Sequence, residues 1–425
     1  GTATTGSSAP ACWSSEPLKV CVVGAGGREH ALAAALARTA DVVVTPGNPG
    51  IPWSVPQPPE EIDADLYVVG PETPLVDGLA DRLRAAGGLV FGPGADGARL
   101  EGSKAWMKEL LAAAGVPTAG YGAFDDVDAA VAFLRTLPGP WVVKTDGLAA
   151  GKGVLVTDAF DEAVADVRAK LAGTAFGDAG RRVVVEEWLD GPELSLLCVC
   201  DGRRAVPLAP AQDFKRVGDG DAGPNTGGMG AYSPVPAAGP EVVADVLERA
   251  VEPTLAALRR RGIDYRGVLY AGLMLTADGP KVVEYNVRFG DPEAQVVLPR
   301  YTGDLAALLA EAAAGELVSA PAFDDRAAVT VVLAAEGYPR TPRTGDVIEG
   351  LDKADALADV TVFRAGVARD PAGRLVTAGG RVLNVTALGD DLAAARATAY
   401  EAVTAISWPG MHFRTDIAEI VHSPS

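Results

Sequence analysis

A multidomain fold of α/β and α+β classes is predicted by three features of the chain: its length, an alternation of strand and helix patterns near the N-terminus, and valine-rich strands that return near the C-terminus. The 425 residues allow about three domains at roughly 150 residues each. From Leu18 to about Gly102, LKVCVVG, REHALAAALART, DVVVT, LYVVG, LVDGLADRLRAAG and LVFG alternate between the two periods. That pattern predicts a doubly wound domain on a parallel sheet. Beyond about 315, RAAVTVVLAA, VTVFRAGV and LVTAGGRVLNVTAL precede the helix DLAAARATAYEAVTAI, predicting an α+β domain. The expected segments are a disordered leader or artificial remnant at 1–17, then domains at 18–103, 104–314 and 315–422.

Composition excludes several functions. With 48% apolar and 22% charged residues, the chain reads as a soluble enzyme, and no run approaches the ~18 apolar residues of a membrane span. The formal charge of −19 repels a phosphate backbone, so no nucleic-acid partner is expected. Small anionic ligands remain compatible, because a pocket can oppose the overall field. Cys12, Cys21, Cys198 and Cys200 lack disulfide or metal spacing, which suits a reducing cytoplasm. Arginines far outnumber lysines, yet Lys104, Lys144, Lys152 and Lys215 share the central segment, where compact, flexible point charges suit phosphate.

The first turn, GAGGREH, follows a strand and opens a helix. Gly24 and Gly26 fit the dinucleotide fingerprint, but Glu29 occupies the third glycine position and the second strand ends at Thr45 without a ribose-binding acid. The turn suits an anion without specifying a dinucleotide. In a doubly wound sheet, ligands sit beyond the carboxyl ends of the strands, where GAGGRE, TPGNPG and GPETP fall.

The central segment begins with Ser103 as N-cap of KAWMKELLAAAG. DGLAAGKGV departs from the Walker pattern and lies between two predicted strands; it is either an ordinary hairpin or a loop whose N–H groups cover a triphosphate. In KVVEYNVRF, Glu284 and Asn286 share one strand face, an oxygen pair suited to Mg²⁺, and Arg288 follows on that face to hold an anion. EEWLDGPE ends a strand, where Glu186 or Glu187 could meet an adenine amino group and Glu193 ribose hydroxyls. A glycine-rich loop is expected at 218–234, and one helix over EVVADVLERAVEPTLAALRRRG.

Together, Lys104, WVVKTDGLAAGKGV, VVVEEWLDGPELS, AQDFKRVGDGDAGPNTGGMGAYSP and VVEYNVRFGDPEAQ resemble the ATP-grasp ligases in order and spacing. Within them, GAGGREHALA, VVGPETPLVDGLAD, EGSKAWMK, PNTGGMGAYSP and EYNVRFGDPE resemble the phosphoribosylamine-glycine ligase family from about Leu18 to Ile417. The resemblance implies an ATP-grasp core between the two flanking domains. It also implies a reaction joining glycine to 5-phosphoribosylamine through glycyl phosphate in purine synthesis, with ATP and Mg²⁺, or Mn²⁺ in its place.

Site roles follow from that resemblance. Gly26, Gly27, Arg28, Glu29, Asn48 and Glu72 hold phosphoribosylamine. Lys104, Lys144, Gly151, Lys152 and Gly153 meet the phosphates; Glu186, Glu187, Trp188 and Leu189 line the adenine slot and Glu193 the ribose. Glu284 and Asn286 hold the metal. Asp213 takes the glycine ammonium, Lys215 and Arg288 its carboxylate, and Asn225 joins the catalytic set. His30 is assigned no ligand role. The strand GVLYAGLML lacks the third acidic metal ligand of many ATP-grasp enzymes, and Phe214 stands where some relatives carry histidine. The competing readings are another ATP-grasp ligase of purine metabolism, an NAD-dependent oxidoreductase and a non-catalytic nucleotide-binding relative. A monomer, or at most a weak dimer, is expected.

Overall fold

The computed structural model describes residues 16–149, 153–173 and 181–419. Its N-terminal sheet runs Asp41–Pro46, Lys19–Gly24, Leu66–Val69, Val90–Phe91, all parallel. Successive side chains of a strand point to opposite faces. Accordingly, Val20 and Val22 enter one core while Cys21 and Val23 enter another, so an unbroken apolar run suits a sheet covered on both sides. At the carboxyl edge, Asn48 lies in the loop after Asp41–Pro46, while Glu29 and Glu72 lie in the first turns of the helices Gly27–Leu36 and Glu72–Val76.

Two antiparallel sheets form the central part. One runs Tyr121–Phe124, Val183–Glu187, Trp141–Thr145, Val154–Thr157; the helices Val127–Leu134 and Phe160–Leu171 cover it with a small separate core. The other runs Ala205–Pro207, Glu193–Asp201, Arg266–Thr276, Gly279–Asn286. The sheets meet where Lys144, on the first, donates to the Val283 carbonyl of the second at 3.4 Å.

The 218–234 segment departs from the expected loop. It contains the hairpin strand Ala222–Asn225, paired with Arg216–Gly218, and the strand Gly230–Ser233. The latter lies beside Ala327–Ala334 in a five-stranded sheet completed by Gln212–Asp213, Arg381–Gly389 and Val360–Arg364. Glycine lowers strand propensity, but a Cβ at Gly230 would lie 2.7 Å from the Thr330 carbonyl oxygen. Close packing therefore selects the residue that local propensity disfavours. The helix expected over 241–262 is also subdivided: a π turn, Leu247–Val251, separates Pro240–Val246 from Glu252–Arg260. Pro253 lacks the N–H that a continuous α ladder needs there.

The N-terminal domain packs against both the central and the C-terminal domains. Arg38 donates to the carbonyls of Tyr301 at 2.7 Å and Leu298 at 3.1 Å, and buried His30 accepts the Arg364 N–H at Nδ1, 2.9 Å. Its ring stands edge-on to Phe363 at 5.5 Å. Burial, aided by the Arg364 charge, pushes the His30 pKa from 6.5 down to about 3, so the imidazole is neutral. Between those values the unfolded chain binds the extra proton, so this contribution to stability is complete above the unfolded pKa and is lost as pH falls towards the folded one. Urea unfolding of His30→Asn is expected to vary less with pH across that window than unfolding of the parent. Parallel pH profiles would remove His30 from the acid response.

Candidate active site

The Lys104–Ala114 helix starts at Ser103, whose Oγ accepts the Trp106 N–H at 3.2 Å and donates to Asp146 Oδ1 at 3.0 Å. Asp146 also accepts the Ala105 N–H at 2.7 Å, tying the helix start to the end of the Trp141–Thr145 strand. Lys104 and Lys144 thus reach one place. Lys104 Nζ donates to the Gly147 carbonyl at 3.4 Å, and Lys144 Nζ to Glu186 Oε2 at 3.0 Å. Burial pulls the Lys104 pKa down, opposed by Glu284.

Glu284 comes from the facing sheet. Burial raises its pKa, but Lys144, Lys104, Lys215 and Arg288 outweigh burial and hold it below the usual carboxylate range. It is therefore a carboxylate surrounded by cations. Asn286 Oδ1, on the same strand face, accepts from Arg288 at 3.0 Å. One carboxylate and one amide oxygen form a hard donor pair of the size Mg²⁺ takes from proteins. Among the described residues, no group of three or more His, Cys, Asp or Glu gathers as a metal cage, matching the absence of a third acid on Arg266–Thr276.

The other expected nucleotide contacts are partly engaged by the chain itself. Glu186 pairs through one oxygen with Lys144 and Lys108, and Glu187 accepts the Gly120 N–H at 2.9 Å. Trp188 is 44% exposed beside buried Leu189. Glu193 pairs with Lys215, which also donates to Asp213 at 3.0 Å. Gly151 and Lys152 lie outside the described residues; the Gly153 carbonyl accepts the Thr145 N–H at 2.9 Å. Asn225 pairs in register with Arg216, the neighbour of Lys215, and lines a cavity of about 450 Å³ with Val154 to Val156, Pro224 and Arg340.

Asp213, whose side chain is nearly covered, and the half-exposed Lys215 form an acid-base pair. Burial raises the Asp213 pKa to about 7 against the pull of Lys215. Lys215 is pushed well above its ordinary value because Asp213 and Glu193 outweigh burial. Sequence reasoning missed the adjoining Glu293, which accepts from Tyr270 Oη at 2.5 Å and Ser195 Oγ at 3.4 Å. Its only sequence signal was its place at the end of FGDPE.

Arg288 links this region to the first domain. It donates to Glu72 at 3.2 Å, Glu101 at 3.0 Å and Asn286, and these carboxylates keep it charged despite burial. Glu101, also missed, accepts the Val287 N–H at 2.9 Å. Its signal was EGSK, which was read for Ser103 and Lys104.

At the first turn, Arg28 Nε donates to Glu29 Oε1 and the Gly26 N–H to Glu29 Oε2, both at 2.6 Å. The chain's own carboxylate therefore caps this helix. Asn48 donates to the carbonyls of Ala25, Arg364 and Ala365, fixing the second loop against the first and the C-terminal domain. A Cβ at Gly27 would collide with Asn384 Oδ1 and approach Gln295 Nε2 to 2.9 Å. Both are buried; among the described residues Asn384 has both amide atoms unpartnered and Gln295 its Oε1, and neither stood out in the sequence. Asp291 completes this edge through Gln295 at 2.8 Å and Arg381 at 3.2 Å.

Comparison with known proteins matches the order of these parts. The Phosphoribosylglycinamide synthetase N domain matches residues 18–101, its ATP-grasp (A) domain residues 102–294 and its C domain residues 328–420. Phosphoribosylamine-glycine ligase of Xanthomonas axonopodis pv. citri is 51% identical over 94% of this chain and 97% of the relative; that of Escherichia coli O6:H1 is 48% identical over 94% and 98%. The crystal structure of the Thermotoga maritima phosphoribosylamine-glycine ligase is similar with a TM-score of 0.82 at 34% identity, covering 94% of this chain and all of that one. Biotin carboxylase of Campylobacter jejuni shares the fold, at a TM-score of 0.69 and 16% identity over 94% and 93%. With all three domains matched in order and near-half identity maintained along the chain, this protein belongs to the phosphoribosylamine-glycine ligase family.

Proposed function

We propose that the chain joins glycine to 5-phosphoribosylamine, converting ATP to ADP and phosphate, in purine biosynthesis. The observation that carries this reading is the continuous polar path from the lysine-lined cleft, through Glu284, Asn286 and Arg288, to Glu72 and the Arg28–Glu29 turn. Such a path can set a phosphoryl donor at one end and a sugar amine at the other.

Glycine's carboxylate is a poor acyl donor. Attack of its oxygen on the γ-phosphorus gives glycyl phosphate and ADP; the amine of phosphoribosylamine then attacks the acyl carbon and releases phosphate. Positioning and neutralisation dominate phosphoryl transfer. Lys104 and Lys144 offset phosphate charge, while Gly151, Lys152 and Gly153 belong to the loop assigned to cover it. The Glu186–Leu189 segment lines the base, with its contacts shared between side chains and backbone, and Glu193 faces the ribose. Glu284 and Asn286 would hold a divalent cation, Mg²⁺ or Mn²⁺, which when bound supplies charge neutralisation across the phosphates.

Asp213, together with Lys215 and Arg288, orients glycine, and Asn225 closes that side. Gly26, Gly27, Arg28, Glu29, Asn48 and Glu72 form the phosphoribosylamine end. Among the described residues Cys21, Cys198 and Cys200 are free, buried thiols, which supports a reducing cytoplasm. Among the described residues no helix is long and apolar enough to cross a membrane. We assign small-molecule substrates, no nucleic-acid partner, and a monomeric or weakly dimeric state.

ADP release is measured from ATP and Mg²⁺ with glycine, with phosphoribosylamine generated from ribose 5-phosphate and ammonia, and with both. Strong release only with both, and poor replacement of glycine by alanine, is expected; release independent of either substrate overturns the proposed ligase reaction.

Glu284→Ala should lower turnover on the order of a thousandfold, as expected for several kcal/mol of lost transition-state neutralisation. Near-normal turnover would exclude the metal assignment. Arg28→Ala should raise KM for phosphoribosylamine by about tenfold or more while leaving KM for ATP nearly unchanged. Equal shifts in both would move this turn out of the sugar-phosphate site.

A further inference from the structure

Lys108 stands one helical turn beyond Lys104 and has no exposed side-chain surface. Its Nζ lies 2.9 Å from Glu186 Oε2, the same oxygen that Lys144 approaches to 3.0 Å. It also donates to Thr118 Oγ1 at 2.7 Å and lies 6.0 Å from the Tyr121 ring centroid. Glu186 is itself buried, and its other oxygen has no hydrogen-bond partner among the described residues. Two ammonium groups therefore share one carboxylate oxygen.

That arrangement is expensive where an apolar side chain would serve packing. Lys108 lies among buried Met107, Leu110 and Leu111 on its helix, and removing a charge from water is unfavourable until it is paired. Burial pulls its pKa down to about 8 against the opposing pull of Glu186. At Glu186, burial is outweighed by Lys144 and Lys108, so the carboxyl stays below its ordinary range. With one anion between two cations, a unit of positive charge remains. Lys108 is enclosed, whereas Lys144 also faces the Val283 carbonyl and the field of Glu284.

We propose that Lys108 is a positioning residue for nucleotide binding: by sharing Glu186 from the helix side, it leaves the Lys144 ammonium with charge available to the triphosphate. This rests on the nucleotide reading of the cleft. Without Lys108, Glu186 neutralises Lys144 alone and draws it back. The effect passes through Glu186, which distinguishes it from loss of core packing.

The full chain is assayed as Lys108→Met, Lys144→Met, Glu186→Gln and the Lys108→Met/Glu186→Gln double variant, with KM for each substrate, kcat and binding of ADP with Mg²⁺ measured by calorimetry. Lys108→Met should raise KM for ATP by about tenfold or more, with the glycine and phosphoribosylamine KM values within about twofold of the parent. The double variant should recover most of that loss and bind nucleotide like Glu186→Gln. A parent-like ATP KM in Lys108→Met, a common shift of all three KM values, or a double variant no better than Lys108→Met overturns the proposal. If Lys108→Met does not fold, the comparison of the double variant with Glu186→Gln decides: equal ADP affinity supports the role, and a further loss of about tenfold overturns it. Unchanged ATP KM and ADP affinity in Lys144→Met would instead overturn the nucleotide reading itself; loss there with no effect in Lys108→Met would overturn only this inference.

Discussion

Arg288 is held in place by acids from two other segments, Glu72 after the third N-terminal strand and Glu101 before the central domain's first helix. It also fixes the Asn286 amide oxygen. Much else depends on that junction. Removing either acid from this partly covered cluster leaves the guanidinium less fully compensated and less firmly oriented. The orientation of the Glu284–Asn286 strand end and the approach of the N-terminal turn to the cleft are therefore coupled through one guanidinium. The same contacts that hold the parts together determine where their functional ends meet.

This organisation separates local charge from total charge. The chain carries −19, yet its cleft gathers Lys104, Lys144, Lys215 and Arg288 around Glu284. Low-dielectric walls strengthen such local fields. An acidic chain and an anion-receptive cleft are thus compatible, because the cations converge on one place. Carboxylates among them keep this interior from becoming an uncompensated cationic core.

Much of this was legible in sequence. The alternating N-terminal pattern anticipated the parallel sheet, Ser103 the helix cap, and the Glu284–Asn286 spacing their common face. These signals are local: strand period, cap chemistry and glycine punctuation act over a few residues. The glycine-rich 218–234 segment was misread because the pairing of Gly230–Ser233 with Ala327–Ala334 is made some hundred positions away. Lys108 carried no signal of its own, since its carboxylate partner belongs to a distant strand. Asn384 gave no periodic or motif signal; its significance arises only when the C-terminal domain packs over Gly27. The sequence motifs identified the family, while tertiary neighbours determine which of its polar groups already have partners.

The five-stranded sheet has a consequence for biogenesis. Gln212–Asp213 and Gly230–Ser233 belong to the central sequence, but Gly230–Ser233 is flanked on one side by Ala327–Ala334. At a synthesis rate of about 5–20 residues per second, the earlier strands leave the ribosome several seconds before that neighbour exists. During this interval they expose an unpaired edge, the kind of surface that chaperones shield and that other nascent chains can capture. The acid-base pair Asp213–Lys215 therefore acquires its final framework only after a much later part of the chain has emerged.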